Sequence, residues 1–515
     1  MDSKSNFLKS RGKIFVKNDI FLLLVIGVIG IFLRFYYLPL DIPFLSDALL
    51  YFSYANDLNF LDKFPTGYNF SNNGWPTFLG FIFNFFPNYE LIEFMNIQRI
   101  TSVVISTLTI FPLYYFLRNF FPKYISLLGL CIFLFEPRII INSVLGITDP
   151  LYIFLITTSL ATFFHKNKNY VYLSFICIAI SILVRYEGII WLFTFSILFF
   201  ISNKKRIDYK LFLKYGIILV LTFSIIFPMM QIRTETMGSD QIIPVLQDSI
   251  KSVDTLADGD NKIISIILFF GNGIVQLFKY LTWIMIPYLF VFIPLGVIFA
   301  IKKKDNQTKF LIFSVIMVLS TSILYAYSRG IQDTRYLYPL YPIFIVFGLY
   351  FVERIFENVR NKKIVTIIIV FGILISSIFF LEEKSIDIEH ESEAIQIMKN
   401  VNSITNIINK FDHESGYIHT NFLLEQNVPI LLSDLRSETR TISYNNDLKL
   451  DEFIKNNYEN GTHIVIDNKN ERPSFFKQLI KNDNSFEYLE KVYDSKDVGF
   501  DYHVKVFEIN FDKLK

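Results

Sequence analysis

The sequence is poor in the residues that staple or metallate small domains: among 515 residues there are two cysteines, six histidines and three tryptophans. Cys131 and Cys177 both fall inside apolar runs, so they read as small buried hydrophobes and no disulfide framework is expected. The chain has no phosphate loop, no dinucleotide fingerprint, no Cys/His metal spacing and no internal repeat. The formal net charge of +2 says little, because in a chain of this kind the placement of charges matters more than their sum. No nucleic-acid partner is expected.

What is abundant is apolar surface. Hydrophobic residues make up 52% of the chain, with 57 Phe and 29 Tyr, and the mean hydropathy is +0.40. They are clustered. "FLLLVIGVIGIFLRFYYL" (21–38) and "IVTIIIVFGILISSIFFL" (364–381) approach the roughly 20 residues that cross about 30 Å of hydrocarbon. A polytopic α-helical membrane protein is therefore expected, with eleven candidate spans at about 20–40, 99–118, 123–136, 148–164, 170–184, 188–202, 211–230, 281–301, 309–327, 335–352 and 364–381. The segment 75–86 is too short to span and reads as a helix lying in the interface. Gly271 and Gly273 interrupt 263–279, which is left out of the spans. The amino-terminal stretch is basic, but the run after it is too long for a signal-peptide core and reads as a retained helix.

Charge placement sets an expected orientation. One alternating set of segments, 1–18, 118–123, 165–169, 203–214, 302–309 and 353–363, carries 22 Lys and Arg. The opposite set carries ten over more than twice the length. By the positive-inside rule the amino terminus is cytoplasmic, and eleven spans leave the carboxyl-terminal tail outside a plasma membrane. Asp41, Asp47, Glu90, Glu93, Glu136, Asp149, Glu187 and Asp333 then fall on the outer side, several at span ends.

Composition changes abruptly near residue 382. Short β-like runs, "GYIHT" (416–420), "THIVID" (462–467) and "YHVKVFEI" (502–509), alternate with helical stretches such as "KLDEFIKNNY" (449–458). This predicts a membrane domain over 1–381 and a soluble α/β domain over 382–515 on the outer side. That domain contains the glycosylation acceptor sequence "NGT" at 460–462.

Four outward segments carry the candidate chemistry. Asp47 lies in "SDALLYFSYANDL" (46–58), in a loop long enough to suggest function, with Tyr51 and Ala55 at i+4 and i+8. It reads either as a general base or as an N-cap of a helix beginning at Ala48. "FEPRIIINSVLGITDPLYIFL" (135–155) packs Glu136, Arg138 and Asp149 into a short turn, where charge is expensive to hold idly; helix-end chemistry at Asp149-Pro150 is the neutral reading. In "LVRYEGIIW" (183–191), Arg185 and Glu187 form either a surface ion pair or a guanidinium aimed at a phosphate. "YSRGIQDTRYLYPLYPIF" (327–344) gathers Arg329, Asp333 and Arg335, a phosphate site or a headgroup anchor.

Together these segments resemble the GT-C class of membrane glycosyltransferases, in particular the protein O-mannosyltransferases and the bacterial transferase that adds aminoarabinose to lipid A. Asp47, Tyr51 and Ala55 match the acid, Tyr and Ala that follow the first span in that class, although many relatives carry a second acid where Ala48 stands. "SVLGITDP", "RYEG" and "RYLYPLYP" resemble its other elements. The oligosaccharyltransferase branch carries "WWDxG" in its soluble domain. Here Trp75, Trp191 and Trp283 all precede that domain, which argues against en bloc transfer to asparagine.

The resemblance implies a polyprenyl-phosphate sugar donor in the membrane and a protein, glycan or lipid acceptor, with inversion at the anomeric carbon. It implies Asp47 as the catalytic base, with Tyr51 and Glu187 supporting. Glu136 and Asp149 would orient the acceptor or a divalent cation, and Arg138, Arg185 and Arg335 would hold the donor phosphate. No cofactor is required by the sequence, and a divalent cation fits the expectation without being demanded by it. The main rival is a transporter or flippase for a lipid-linked substrate, which predicts internal pseudo-symmetry and mid-membrane charges; neither is evident.

Overall fold

A computed structural model of the protein describes residues 17–40, 44, 46–61, 63–66, 68, 72–86, 91–203, 208–240, 262–303, 305–357, 359–383, 420–423, 463–467, 474–499 and 503–513. The chain folds as two compact units. The first comprises Met1–Leu38, Thr66–Trp75 and Arg99–Lys384; the second comprises Pro39–Pro65, Pro76–Gln98 and Ser385–Lys515.

Helices come in the order α1 (Lys17–Tyr36), α2 (Ser46–Leu61), α3 (Gly74–Phe83), α4 (Leu91–Leu108), α5 (Ile110–Leu117), α6 (Lys123–Leu134), α7 (Pro137–Val144) and α8 (Asp149–Phe163). They continue with α9 (Tyr170–Val184), α10 (Gly188–Ser202), α11 (Tyr209–Met237), α12 (Lys262–Met285), α13 (Leu289–Lys302), α14 (Asn306–Tyr325), α15 (Tyr341–Glu357) and α16 (Lys362–Glu383). Among the described residues, seven helical stretches are long and apolar enough to cross a membrane, and eight if the bent pair α6–α7 is one span. The further spans expected from sequence at 148–164, 170–184 and 188–202 appear as helices of 15 residues each, about 22 Å long.

Burial separates inner from peripheral helices of the first unit. The span built on α15 is 78% buried, whereas that of α16 is 17% buried and exposes Ile367, Ile368, Phe371 and Phe379. A continuous apolar face of that kind suits lipid rather than water. At α13 and α15 the backbones meet: a Cβ on Gly296 would lie 1.8 Å from the Phe347 carbonyl oxygen, so only glycine fits that crossing. Arg34 is fully buried at the end of α1, where Nη1 donates to the carbonyls of Gly30 (3.1 Å) and Leu134 (2.9 Å) and Nη2 to Ser106 Oγ (3.3 Å). It ties α1 to α4 and to the last turn of α6, whose unpaired carbonyls favour a cation.

Several elements differ from the expectations. The segment 263–279 lies within one helix, α12, which runs through Gly271 and Gly273; Gly273 sits against Ser328. The segment 99–118 starts earlier, at Leu91, and breaks at Thr109, where Pro112 supplies no N–H to the Leu108 carbonyl. The segment 335–352 begins as a 3-10 turn over Arg335–Leu340 and becomes α-helical only at Tyr341, after Pro339.

In the second unit, four described strands form one sheet in the order β1-β2-β4-β3: β1 (Thr420–Leu423), β2 (His463–Asp467), β3 (Leu489–Asp494) and β4 (Val504–Ile509). β1 and β2 run parallel; β4 is antiparallel to both β2 and β3, and the β3–β4 register shifts between Lys491 and Tyr493. A short helix, α17 (Ser474–Lys481), precedes β3. β3 was absent from the strands expected by sequence. The expected helix at 449–458 and the "NGT" at 460–462 lie outside the described residues.

Candidate functional site

Asp149 opens α8, followed by Pro150, whose missing N–H costs nothing in a first helical turn. The turn before it contains Gly146 at φ 71°, a left-handed position that favours glycine. Asp149 is 1% exposed. Its Oδ1 accepts from Arg185 Nη1 at 2.8 Å, while Oδ2 is buried without a hydrogen-bond partner among the described residues. Arg185 sits where α9 ends, its backbone extended at φ −146° and ψ 124°. From there Nη2 and Nε also donate to Glu187 Oε1 (2.8 Å) and Oε2 (3.3 Å), a forked pair. One guanidinium thus bridges two carboxylates, between the rings of Tyr152 (5.9 Å) and Tyr336 (5.7 Å).

Arg335 and Asp333 lie within electrostatic reach of Asp149. Asp333 closes on Arg335 twice, accepting from its backbone N–H (2.8 Å) and from Nε (2.7 Å). The three acids exceed the two arginines by one negative charge, set beside the rings of Tyr152 and Tyr336. Asp149, Arg185 and Glu187 are therefore joined directly, with Arg335 beside them.

Glu136 and Arg138 occupy the other end of α7. Glu136 is fully buried and, among the described residues, neither carboxylate oxygen has a hydrogen bond of good geometry; Tyr288 and Arg138 lie within electrostatic reach of it. Arg138 Nε donates to the Trp283 carbonyl at 3.0 Å, and its guanidinium lies over the rings of Trp283 (4.7 Å) and Phe380 (5.1 Å). Its Nη2 is buried with no hydrogen-bond partner among the described residues. Tyr338 lies within electrostatic reach of both Arg138 and Asp149 and so connects the two groups.

A third feature was missed at the sequence level. Arg233, fully buried near the end of α11, donates Nε to Asn73 Oδ1 at 2.7 Å and Nη2 to the Leu183 carbonyl at 3.4 Å. Asn72 Oδ1 accepts from the Tyr186 N–H, and the Trp75 indole donates to the Gly146 carbonyl at 3.1 Å. The strand of chain at 72–75 thereby braces both turns that carry Asp149 and Arg185. "NNGW" with a lone Arg in "QIRTETM" was the available signal, but nothing in sequence pairs residues 160 positions apart.

In the second unit, α2 begins at Ser46 rather than Ala48, which puts Asp47 in the first helical turn instead of at the cap. An acid there favours the helix dipole. Asp47 is half-buried; Tyr51 and Ala55, on the same helical face, are buried. Gln98 Nε2 donates to the Ala48 carbonyl at 3.1 Å, and Gly80 of α3 packs against Leu58 and the Ala55 carbonyl. Among the described residues no three His, Cys, Asp or Glu side chains form a set able to hold a metal ion. Asp149 and Glu187 are already bridged by Arg185, so this pair does not offer an open set of carboxylates to a divalent cation.

No protein-family model and no curated protein matches the sequence. Solved structures do match in fold. ArnT from Cupriavidus metallidurans bound to undecaprenyl phosphate is 11% identical, with a TM-score of 0.58 over 96% of this chain and 98% of that one. The Archaeoglobus fulgidus oligosaccharyltransferase complex with Zn and sulfate is 13% identical, with a TM-score of 0.56 over 87% of this chain and 68% of that one. The archaeal oligosaccharyltransferase AglB from the same organism, in complex with an inhibitory peptide and a dolichol-phosphate, is 13% identical, with a TM-score of 0.55 over 94% and 74%. The chain shares its fold with these ArnT and oligosaccharyltransferase structures.

Proposed function

We propose that the protein is a multi-pass membrane glycosyltransferase that moves a sugar from a polyprenyl-phosphate-linked donor to a protein, glycan or lipid acceptor. The observation that carries this reading is the Asp149–Arg185–Glu187 constellation, on a fold whose solved examples hold undecaprenyl phosphate or dolichol-phosphate. A buried carboxylate with one oxygen gripped and the other without a partner is costly in an apolar bundle, and a polar ligand offsets that cost.

In this reading Asp47 takes the proton of the acceptor hydroxyl. The freed oxygen bonds to the anomeric carbon as the bond from that carbon to the phosphate oxygen breaks, with inversion, and polyprenyl phosphate leaves. Arg138 is the phosphate ligand with an unsatisfied donor, Nη2, held ready by Trp283. Arg335 adds positive charge. Arg185, already engaged by two acids, orders Asp149 and Glu187 as much as it neutralises phosphate. Glu136 and Asp149 orient acceptor or sugar hydroxyls, and Tyr51 supports α2. The proposal includes a membrane domain over 1–381 with a cytoplasmic amino terminus, a domain over 382–515 outside the plasma membrane, and chemistry on the outer face.

The test is release of sugar from radiolabelled polyprenyl-phosphate donors by purified protein, wild type beside Asp47→Asn. Loss of about 10²–10⁴-fold in a folded variant is expected. Full turnover in Asp47→Asn would refute the base assignment, and no turnover by the wild type with any donor would favour the transporter reading.

A further inference from the structure

The contacts of residues 72–75 run to two turns that are distant from them and from each other in sequence, and each turn carries one partner of the Asp149–Arg185 pair. On the Asp149 side, the fully buried Trp75 donates its indole N–H to the Gly146 carbonyl at 3.1 Å, just ahead of Asp149. On the Arg185 side, Asn72 Oδ1 accepts from the Tyr186 N–H at 3.3 Å. Gly74 presses on the last turn of α9: a Cβ there would lie 2.6 Å from the carbonyl carbon and oxygen of Leu183 and 2.8 Å from the Val184 nitrogen. Only glycine allows that approach.

The last turns of α11 hold this segment in place. The helix has 29 residues, roughly 43 Å of length, and carries Arg233 past Pro228 to a fully buried position. Arg233 Nε donates to Asn73 Oδ1 at 2.7 Å and Nη2 to the Leu183 carbonyl at 3.4 Å, while Asn73 Nδ2 donates to Met229 Sδ at 3.3 Å. The Leu183 carbonyl is among the last of α9, which lack partners further along the helix, and a cation there suits the helix dipole. One buried guanidinium therefore fixes Asn73 and the end of α9 together, next to Arg185.

We propose that Asn72, Asn73, Trp75 and Arg233 are positioning residues for the Asp149–Arg185 pair, setting its orientation toward the transferred sugar without touching that sugar. This rests on the transferase reading. The pair joins two separate turns at 2.8 Å, so it keeps its geometry only while both turns keep theirs. A displacement of about 1 Å at such a site costs up to about 10²-fold in rate. Tethering both turns to the same four residues makes them move together, and hydrogen bonds to backbone atoms fix direction as well as distance.

The experiment uses the full chain in nanodiscs and a double-mutant cycle. Trp75→Phe keeps an aromatic ring and loses the indole N–H. It should lower kcat for sugar transfer by about tenfold and leave KM for the donor within about twofold. In the Asp149→Asn background the same substitution should cost less than about twofold, because the group it positions is already altered. Asn72→Ala, which trims one half-buried side chain, should couple to Arg185→Lys in the same way, so the outcome does not hang on one variant's folding. Equal factors in both backgrounds, or an unchanged kcat, overturn the proposal. Hydrogen exchange without substrate separates it from the transferase reading: in Trp75→Phe, amides 146–149 and 185–188 should lose protection while the middles of α8 and α9 keep theirs. If the wild type transfers no sugar, the transferase reading fails, and the exchange decides the clamp: loosened turns uphold it and unchanged turns overturn it.

Discussion

Two charged networks in this protein use the same kinds of groups and satisfy them differently. Near the β3–β4 hairpin, Asp494 accepts from His503 Nε2 (3.0 Å) and the Lys496 N–H (3.1 Å), with Lys491 and Lys505 at 3.5 and 3.7 Å. Lys505 in turn donates to Asp483 (2.6 Å) and to the Ile480 carbonyl (2.9 Å), so acids and lysines balance. In the helical unit, among the described residues, Asp149 keeps one oxygen without a hydrogen-bond partner and the acids of the cluster outnumber its arginines. A saturated network rigidifies a fold, whereas an incomplete one stores a place for another molecule. From this difference we propose a structural role for the hairpin network and a binding role for the bundle network.

The strongest way to break the comparison is Arg185→Leu. It strands two buried carboxylates and should cost about 3–5 kcal/mol, read as a fall in Tm of the purified protein with loss of transfer. Arg185→Lys keeps the charge but cannot make the fork to Glu187 while reaching Asp149, so it should recover stability more than activity. If Arg185→Leu behaves as wild type, the cluster is ornamental and the site assignment fails.

Asp149→Asn separates binding from structure. It removes a charge that the bundle holds at a cost, so Tm should change little while transfer falls by about 10²-fold. The opposite pattern, a large Tm loss with intact transfer, would make this network the equivalent of the one in the hairpin. Next in size, Asp494→Asn should cost the sheet about 1–2 kcal/mol, seen as faster hydrogen exchange in β4, and leave transfer unchanged.

How much of this was legible beforehand follows from what each feature depends on. Helices at 149–163, 170–184 and 188–202 fall within a residue of the expected spans because apolar runs there end at strong local signals: Asp-Pro, Arg-Tyr-Glu-Gly and a lysine run. The grouping of Asp149, Arg185 and Glu187 was approachable because all three were singled out at span ends. The Arg233–Asn73 brace was not, since it rests on tertiary pairing alone. β3 escaped because "LEKVYD" carries three charges, and they find partners only once the hairpin forms. In α12, two glycines read as an interruption, yet a helix flanked by neighbours tolerates them when one of them meets another backbone closely.

The smallest expected effect is the response of the two networks to acid. Burial opposes the charge of Asp494, but the Lys496 N–H, His503 and Lys505 outweigh it and hold the carboxyl below its usual range. Asp483 is likewise lowered against its burial by Lys491 and Lys505. Desolvation lowers His503, with Asp494 opposing. All three groups bind protons less readily folded than unfolded, so each contributes stability at neutral pH that disappears on acidification. The His503 share goes first, as pH drops from about 6.5 through its lowered folded value. The carboxylate shares follow below about 3.9, as pH passes their lowered folded values. The hydrogen-exchange protection of β4, taken relative to intrinsic exchange at each pH, should therefore fall in two stages between neutral and strongly acidic pH, and Asp494→Asn should shrink the carboxylate stage while enlarging the His503 stage, since it removes one carboxylate and the contact that opposes the lowering of His503. Protection in β4 that ignores pH over this range would mean that the hairpin charges are screened by solvent, and the contrast with the bundle would then rest on burial rather than on satisfied partners.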